Sequence, residues 1–162
     1  MTHNWIFNAS PLILLGKANL LNIISPLAEQ WGVPESVVKE VSRKSSINPI
    51  LDQLSEQSKV CLQKADSVDP FVASWNLGEG ESEVLTLAIH SSKYGVVLDD
   101  LQARKCAQIL NIPLIGSMGL LVKAKREGLI EAVKPSFEKL VAVGLYIDPA
   151  LMKKVLNSIA EK

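Results

Sequence analysis

Carboxylate side chains gather at a few points of the sequence, each beside a short apolar run or the start of a helix. Asp99 and Asp100 directly follow the run Val96–Leu98, and Glu81 and Glu83 stand where a helix opens. Oxygen ligands without Cys or His partners suit hard cations such as Mg²⁺ or Mn²⁺, which activate water and neutralise a phosphodiester. The candidate metal ligands are Asn8, Glu40, Glu81, Glu83, Asp99 and Asp100, and the carboxylates among them are the candidate catalytic residues.

Each of these acids also has a simpler, structural explanation. Glutamates in a first helical turn are favoured by the helix dipole by roughly 0.3–1 kcal/mol, and an aspartate after a strand is an ordinary N-cap. Two adjacent aspartates nevertheless exceed what one cap requires, and three acids from Glu79 to Glu83 exceed what one helix dipole requires. A shared metal site and a set of separate caps therefore both stay open at this point.

Candidate phosphate-binding groups accompany the acids. Arg104 follows the aspartate pair on the next helix, although an i,i+4 ion pair with Asp100 is the simpler explanation for it. The turn Gly116–Gly119 offers backbone N–H groups and the Ser117 hydroxyl, a combination that is more often plain turn chemistry. The sequence contains no GxSxG, GxGxxG or GxxxxGK[ST] motif, which argues against a serine hydrolase, a dinucleotide-binding enzyme and a P-loop NTPase.

The elements that must position these residues alternate between short apolar runs and helix-period segments, which predicts an α/β domain with a mostly parallel sheet. At the carboxyl edge of such a sheet the polar strand tips meet in one crevice. Strands are predicted at Trp5–Phe7, Val96–Leu98 and Ile112–Ile115, with a further possibility at Phe71–Ala73. Helices are predicted after a Ser10 cap, from Val33–Glu35, weakly over Pro49–Gln63, from Gly78–Glu83, over Leu101–Leu110 up to Asn111, from the Gly116 turn to Gly128, and near Pro135–Val143 and Pro149–Ala160.

Composition limits the class of protein. The chain has 162 residues, 17 basic and 17 acidic side chains and 48% hydrophobic residues, which predicts one domain over residues 1–162. Its two cysteines, Cys61 and Cys106, belong to no metal-binding motif and are expected to be reduced. The neutral balance excludes coating of nucleic acid or membrane by bulk charge. We expect a cytoplasmic protein, because no signal peptide or membrane span is visible.

Several segments, taken in their order, resemble the PIN-domain proteins of a bacterial and archaeal group related to the VapC toxins. The resemblance spans about Trp5 to Leu156, and its segments are Ile6–Ile13, Val33–Val41, Gly80–Glu83, Leu98–Arg104, Ile115–Leu121 and Ala124–Ile130. It implies a three-layer α/β/α fold, a Mg²⁺ or Mn²⁺ site, cleavage of single-stranded RNA, restraint by an antitoxin protein and a homodimer. The apolar residues of the last helix, Leu151, Val155, Leu156 and Ile159, are one candidate for the dimer contact.

The family pattern places its first acid at Asn8, its helix acid at Glu40, its central-helix acid at Glu81 or Glu83, and its last pair at Asp99 and Asp100. Ser10 matches the hydroxyl residue that supports the first acid, and with Arg104 and Ser117 it completes the phosphate and RNA set. Asn8 departs from the pattern, because an amide oxygen ligates a cation without bringing negative charge. Two hypotheses follow: an endoribonuclease with a weakened site, or an inactive module that binds RNA or a protein partner.

Overall fold

Five parallel strands form the sheet in the computed structural model, which describes residues 4–44, 50 and 59–160. The strands are β1 (Asn4–Phe7), β2 (Gln30–Pro34), β3 (Lys59–Gln63), β4 (Tyr94–Val97) and β5 (Leu114–Ile115). Their spatial order is β3-β2-β1-β4-β5, and every neighbouring pair is parallel. The predicted α/β class with a parallel sheet is confirmed.

The helices of the described residues cover both faces of this sheet. They are α1 (Ala9–Lys17), α2 (Leu21–Ile24) with a 3₁₀ turn at Ser25–Leu27, α3 (Glu35–Lys44), α4 (Pro70–Ala73), α5 (Glu79–Ile89), α6 (Leu101–Ile109), α7 (Ser117–Arg126), α8 (Lys134–Ala142) and α9 (Pro149–Ser158). The chain crosses the sheet one way from β1 to β3 and the other way from β3 to β5. Right-handed crossovers therefore put the two sets of connecting helices on opposite faces, which gives three layers.

The central strands are apolar and buried beyond their first residue, because helices cover them on both sides. Trp5, Ile6 and Phe7 of β1 are all buried, and the Phe7 ring stacks on Trp31 of β2 with ring centroids 4.9 Å apart. On its other side β1 pairs with β4 in the register that puts Phe7 opposite Val97. The residues that follow both strands consequently leave the sheet side by side at its carboxyl edge.

Two predicted elements at the start of the chain differ from the structure. Asn8, not Ser10, is the N-cap residue of α1, since its backbone is extended (φ −81°, ψ 163°) and the helix already begins at Ala9. Ser10 lies exposed in the first turn. Strand β2 was missed, because the helix start predicted at Val33–Glu35 overlaps it: Val33 and Pro34 end the strand, and α3 begins only at Glu35.

Three further predictions in the middle of the chain need correction. Phe71–Ala73 is helical, because Pro70 opens the helix and Asp69 caps it by accepting a 2.9 Å hydrogen bond from the Phe71 N–H. The helix predicted over Pro49–Gln63 is wrong at Lys59–Gln63, which pairs with β2 along its whole length. Ile50 is helical and buried, and positions 49 and 51–58 lie outside the described residues. The strand predicted at Ile112–Ile115 shortens to Leu114–Ile115.

Several predicted boundaries are confirmed by the backbone itself. Asn111 adopts the left-handed conformation (φ 57°) just after α6, and Gly128 does the same (φ 78°) just after α7, as expected of residues that end helices. Cys61 and Cys106 are free thiols.

No single helix in the described part of the chain is long and apolar enough to cross a membrane. Among the described residues, one neighbouring pair, Ala9–Lys17 with Leu21–Leu27, is long and apolar enough when taken together, and it is bent by 115° at its junction.

Candidate active site

Asn8 places an unsatisfied oxygen at the carboxyl edge of the central strand. The residue directly follows β1, its backbone N–H donates a 3.1 Å hydrogen bond to the Val97 carbonyl of β4, and its side chain is only 4% exposed. The buried Asn8 Oδ1 accepts no hydrogen bond. A desolvated acceptor without a partner costs about 1–3 kcal/mol, so this position calls for a cation or a donor from a ligand.

Gly80 keeps the space beside that oxygen open. A Cβ atom at Gly80 would lie 3.3 Å from Asn8 Oδ1 and 3.5 Å from Glu40 Oε1, so the two oxygens face one gap from β1 and α3. Glycine is a poor helix former, yet it stands here in the first turn of α5. The gap between Asn8, Glu40 and Gly80, hereafter the Asn8 gap, is therefore a built feature of three elements.

Lys44 partly neutralises the acid of this gap. Its Nζ lies 3.1 Å from Glu40 Oε2, one helical turn along α3, while Glu40 Oε1 faces Asn8. One oxygen of the Glu40 carboxylate thus faces the Asn8 gap, and the other is paired with Lys44 of the same helix.

Asp99 is held in one orientation by the start of α7. The Ser117 N–H donates to Asp99 Oδ1 at 2.8 Å, and the Ser117 hydroxyl donates to Asp99 Oδ2 at 2.6 Å. Ser117 is fully buried, so these two bonds are shielded from water. The sequence pattern offered Ser117 as a phosphate ligand; in the structure both of its donors point to the carboxylate of the neighbouring strand.

Arg104 lies next to Asp99 across another glycine. Its Nη1 donates to the Leu98 carbonyl at 2.9 Å, and a Cβ at Gly116 would stand 2.9 Å from both Arg104 Nη1 and Asp99 Oδ1. The expected ion pair with Asp100 is not formed. The guanidinium is instead turned back to the end of β4, where it lies beside Asp99.

Glu83 is committed elsewhere. Its Oε1 accepts hydrogen bonds from the Ser36 N–H (3.0 Å) and hydroxyl (2.6 Å), and its Oε2 accepts from the Ala65 N–H (3.1 Å). Burial raises the pKa of Glu83, but these hydrogen bonds and the charge of Lys39 outweigh burial and hold the pKa below its usual value. This carboxylate fastens the chain after β2 and β3 to helix α5.

The remaining sequence-predicted residues stand at helix starts. Glu81 Oε2 lies 2.7 Å from the position of a Cβ at Gly78, so the carboxylate folds back over the first turn of α5. Asp100 caps α6 by accepting a 2.9 Å hydrogen bond from the Ala103 N–H. Ser10 is exposed and makes no hydrogen bond to Asn8 Oδ1. The structure thus brings Asn8 together with Glu40, and Asp99 with Arg104 and Ser117, on adjacent central strands.

The donor set fits a hard divalent cation by its chemistry. Within residues 4–44, 50 and 59–160, no three Asp, Glu, His or Cys side chains form a group that could hold a metal ion. Mg²⁺ usually keeps several waters and takes only one or two protein carboxylates plus substrate phosphate. An unsatisfied amide oxygen and the Glu40 carboxylate in one gap match that requirement by their chemistry.

Sequence reasoning missed the residues that shape the site without touching a ligand. Gly80 carried a signal, because a glycine amid three acids in a first helical turn contradicts helix propensity. Lys44 carried one too, being four residues after Glu40. The bond from Ser117 to Asp99 had no local signal, since it joins the ends of two strands 18 positions apart.

Comparison with known proteins agrees with this architecture. A family model described as a PIN domain matches residues 4–161. Among solved structures, the chain is similar to a PilT N-terminus domain protein from the hyperthermophilic archaeon Sulfolobus solfataricus P2, with a TM-score of 0.55 and 17% identity; the match covers 75% of this chain and 92% of that one. None of the curated proteins compared with the chain matches it. On the strength of the family match, which takes in nearly the whole sequence, this chain belongs to the PIN-domain family.

Proposed function

We propose that the protein is a Mg²⁺- or Mn²⁺-dependent endoribonuclease of low intrinsic activity, acting at the carboxyl ends of β1 and β4. The observation that carries the proposal is the buried, unpartnered Asn8 Oδ1, which faces the Glu40 carboxylate across the space left by Gly80. An oxygen that receives no hydrogen bond from the protein is free to ligate a cation. The nuclease-type fold supplies the context for this chemistry.

Residues at the ends of β1 and β4 would have different roles, cation binding and phosphate binding. Asn8 and Glu40 would hold the cation, and Asp99 would complete the site, its orientation fixed by the two hydrogen bonds from Ser117. Arg104, whose guanidinium lies beside Asp99, would hold a phosphate oxygen of the substrate. When bound, the divalent cation neutralises charge on the phosphodiester and makes water a better nucleophile.

Charge explains why we expect weak activity in the natural sequence. Position 8 contributes no negative charge, and Lys44 lies 3.1 Å from Glu40 Oε2. A hard cation loses affinity as the negative charge among its ligands falls. The same observation favours a second candidate function, an inactive PIN module that binds RNA or a protein partner.

Metal titration with a cleavage assay tests the proposal. Isothermal titration with Mn²⁺ should give weak, saturable binding that Asp99→Asn lowers further, and a labelled single-stranded RNA should be cut slowly with Mn²⁺ and not with a chelator. No Mn²⁺ binding and no cutting by the natural protein or by Asn8→Asp would leave the inactive module. Fast cutting by the natural protein, scarcely changed by Asn8→Asp, would contradict the weakened site.

Within the same proposal, the regulatory partner is an antitoxin protein. Adding the correct partner to the purified chain should lower metal-dependent RNA cutting, and removing the partner should restore it. An RNA substrate and a second copy of the chain are the other partners that we propose.

A further inference from the structure

A groove of about 630 Å³ runs from the Asp99 end of the sheet along the outer side of β5 and α7. Its apolar floor consists of residues of β5 and α7, and Leu145, Tyr146 and two residues of α9, Leu151 and Val155, also line it. Asp99 and Arg104 line one end, whereas Lys123 and Arg126 lie toward the other. Helix α7 has 10 residues, so the two ends are about 15 Å apart.

The cations of this groove form no ion pair with an acid of the described residues. The ion pairs in that part of the chain lie elsewhere and involve neither Arg104 nor Lys123 nor Arg126. The Lys123 ammonium stands 5.8 Å from the centre of the Trp5 ring, and Arg126 is exposed at the last residue of α7. Because the whole chain is neutral, with 17 basic and 17 acidic residues, this is a local concentration of positive charge.

Tyr146 adds an aromatic surface at the mouth of the groove. The residue is 83% exposed although the groove is largely apolar, and Leu151, which also lines the groove, is 48% exposed. An exposed ring beside an apolar floor, in a groove lined by cations that form no ion pair, suits single-stranded nucleic acid: bases stack on the ring and phosphates meet the cations.

We propose that this groove binds a segment of single-stranded nucleic acid beside the Asp99 end of the site, with a base stacked on Tyr146 and backbone phosphates held by Lys123 and Arg126. The inference rests on the proposed nuclease function, since it supplies the path by which a strand reaches Asp99. A duplex does not fit this mode, because paired bases have no free face for the Tyr146 ring. An acidic peptide matches the cations, but the flat faces of bases match the exposed ring and apolar floor as well.

The test measures binding without cleavage. Fluorescence anisotropy of a labelled single-stranded RNA, titrated with the full chain in the presence of a chelator, should show saturable binding. Tyr146→Ala should weaken it by roughly 5- to 150-fold, and Tyr146→Phe should bind like the natural protein. Arg126→Gln should make the slope of log K against the logarithm of salt concentration shallower by about 0.7, because one phosphate fewer is neutralised. Phe71→Ala and Lys93→Gln are the controls, because both residues are exposed and outside the groove.

The outcomes separate this inference from the proposed function. RNA binding that neither Tyr146→Ala nor Arg126→Gln changes would overturn the groove and leave the nuclease proposal standing. Binding that depends on Tyr146, without any Mn²⁺-dependent cutting, would support the groove and refute the nuclease. Equal binding of duplex RNA, no binding of RNA at all, or preference for an acidic peptide would each overturn the inference. A single-stranded DNA of the same sequence shows whether the 2′-hydroxyl is read.

Discussion

Asn8 is the residue at which one substitution separates the two proposed functions. Asn8→Asp adds a carboxylate that faces Glu40 across the gap at Gly80. In an enzyme weakened by its amide, the added charge should raise Mn²⁺ affinity by about tenfold or more and speed RNA cutting. In an inactive module the new charge meets only the repulsion of Glu40, which should lower the free energy of unfolding by roughly 1–3 kcal/mol without activity.

A matched control stands at the opposite end of the same strand. Asn4 Oδ1 accepts a 3.2 Å hydrogen bond from the Gln30 N–H, so Asn4→Asp adds the same charge away from the carboxyl edge. It should leave Mn²⁺ affinity unchanged. Lys44→Gln frees Glu40 Oε2 and should raise affinity in the same direction as Asn8→Asp, by less. Equal effects of Asn4→Asp and Asn8→Asp would mean that the added charge acts at long range and that no site exists.

Glu83 gives a prediction about stability and pH. Its pKa is lowered in the folded protein, so its contribution is fully present above the usual value near 4.5 and is lost as the pH falls through the lowered pKa. Glu83→Gln should lower the free energy of unfolding at pH 7 by about 1–3 kcal/mol, the loss expected for hydrogen bonds to a charged group. Denaturant titrations should show the difference from the natural protein shrinking below pH 4.5. Glu79→Gln, exposed one turn before Glu83 on the same helix, should change stability by less than about 0.5 kcal/mol; an equal loss there would assign the effect to the helix dipole.

At the scale of the element, the first turn of α5 contains Gly80, a poor helix former that leaves the Asn8 gap open. Gly80→Ala places a methyl group 3.3 Å from Asn8 Oδ1 and 3.5 Å from Glu40 Oε1. Alanine favours the helix by up to about 1 kcal/mol, so thermal unfolding should show no large loss of stability. Mn²⁺ binding by calorimetry should nevertheless fall several-fold, because the two ligands are pushed apart. Undiminished affinity in a normally folded Gly80→Ala protein would rule out the Asn8 gap as the metal site.

The sequence predicted elements whose signals are local and missed those whose reasons are distant. The runs at Trp5–Phe7 and Val96–Leu98 and the helix ends at Asn111 and Gly128 depend on apolar runs and cap residues that can be read along the chain. Strand β3 forms because it pairs residue for residue with β2, a segment far from it in the sequence. Helix periodicity was the wrong criterion for Lys59–Gln63, because side chains of this outer strand are partly or fully exposed and its apolar residues do not mark a buried face.

The candidate site was predictable in the same measure. Asp99 and Asn8 were identified because polar residues at the ends of parallel strands must meet at one edge. The division of labour among the acids was not, because it depends on contacts between separate elements: Glu83 is taken up by Ser36 and Ala65. Residue type alone does not distinguish a carboxylate that fastens a loop from one that faces an open gap.

At the scale of the whole molecule, the expected homodimer requires an exposed apolar surface, and α9 and β3 are the two candidates. The last helix, one candidate for the contact, has Leu156 buried in the core and Leu151 beside the groove. Strand β3 ends the sheet of described strands and carries Leu62, which is 71% exposed. Unpaired strand edges with apolar side chains pair readily with a second chain.

Sedimentation tests that surface directly. At micromolar concentration the natural protein should sediment as twice its mass of 17.6 kDa, and Leu62→Lys should shift it to the monomer. Leu101→Lys, on an exposed position of α6, serves as the control and should remain dimeric. A monomeric natural protein would refute the homodimer, and a dimer that persists in Leu62→Lys would move the contact away from β3.

The position of β1 in the middle of the sheet also sets the order in which the protein can be assembled on the ribosome. Asn4 pairs with Tyr94, so β1 waits for this partner strand until about 90 further residues have been synthesised. At 5–20 residues per second this takes roughly 5–20 s of synthesis. Until then β1 has only β2 beside it, and the hydrogen-bonding edge that β4 will cover stays open. A chain that has been synthesised only as far as β3 therefore exposes an unpaired strand edge of the kind that favours aggregation.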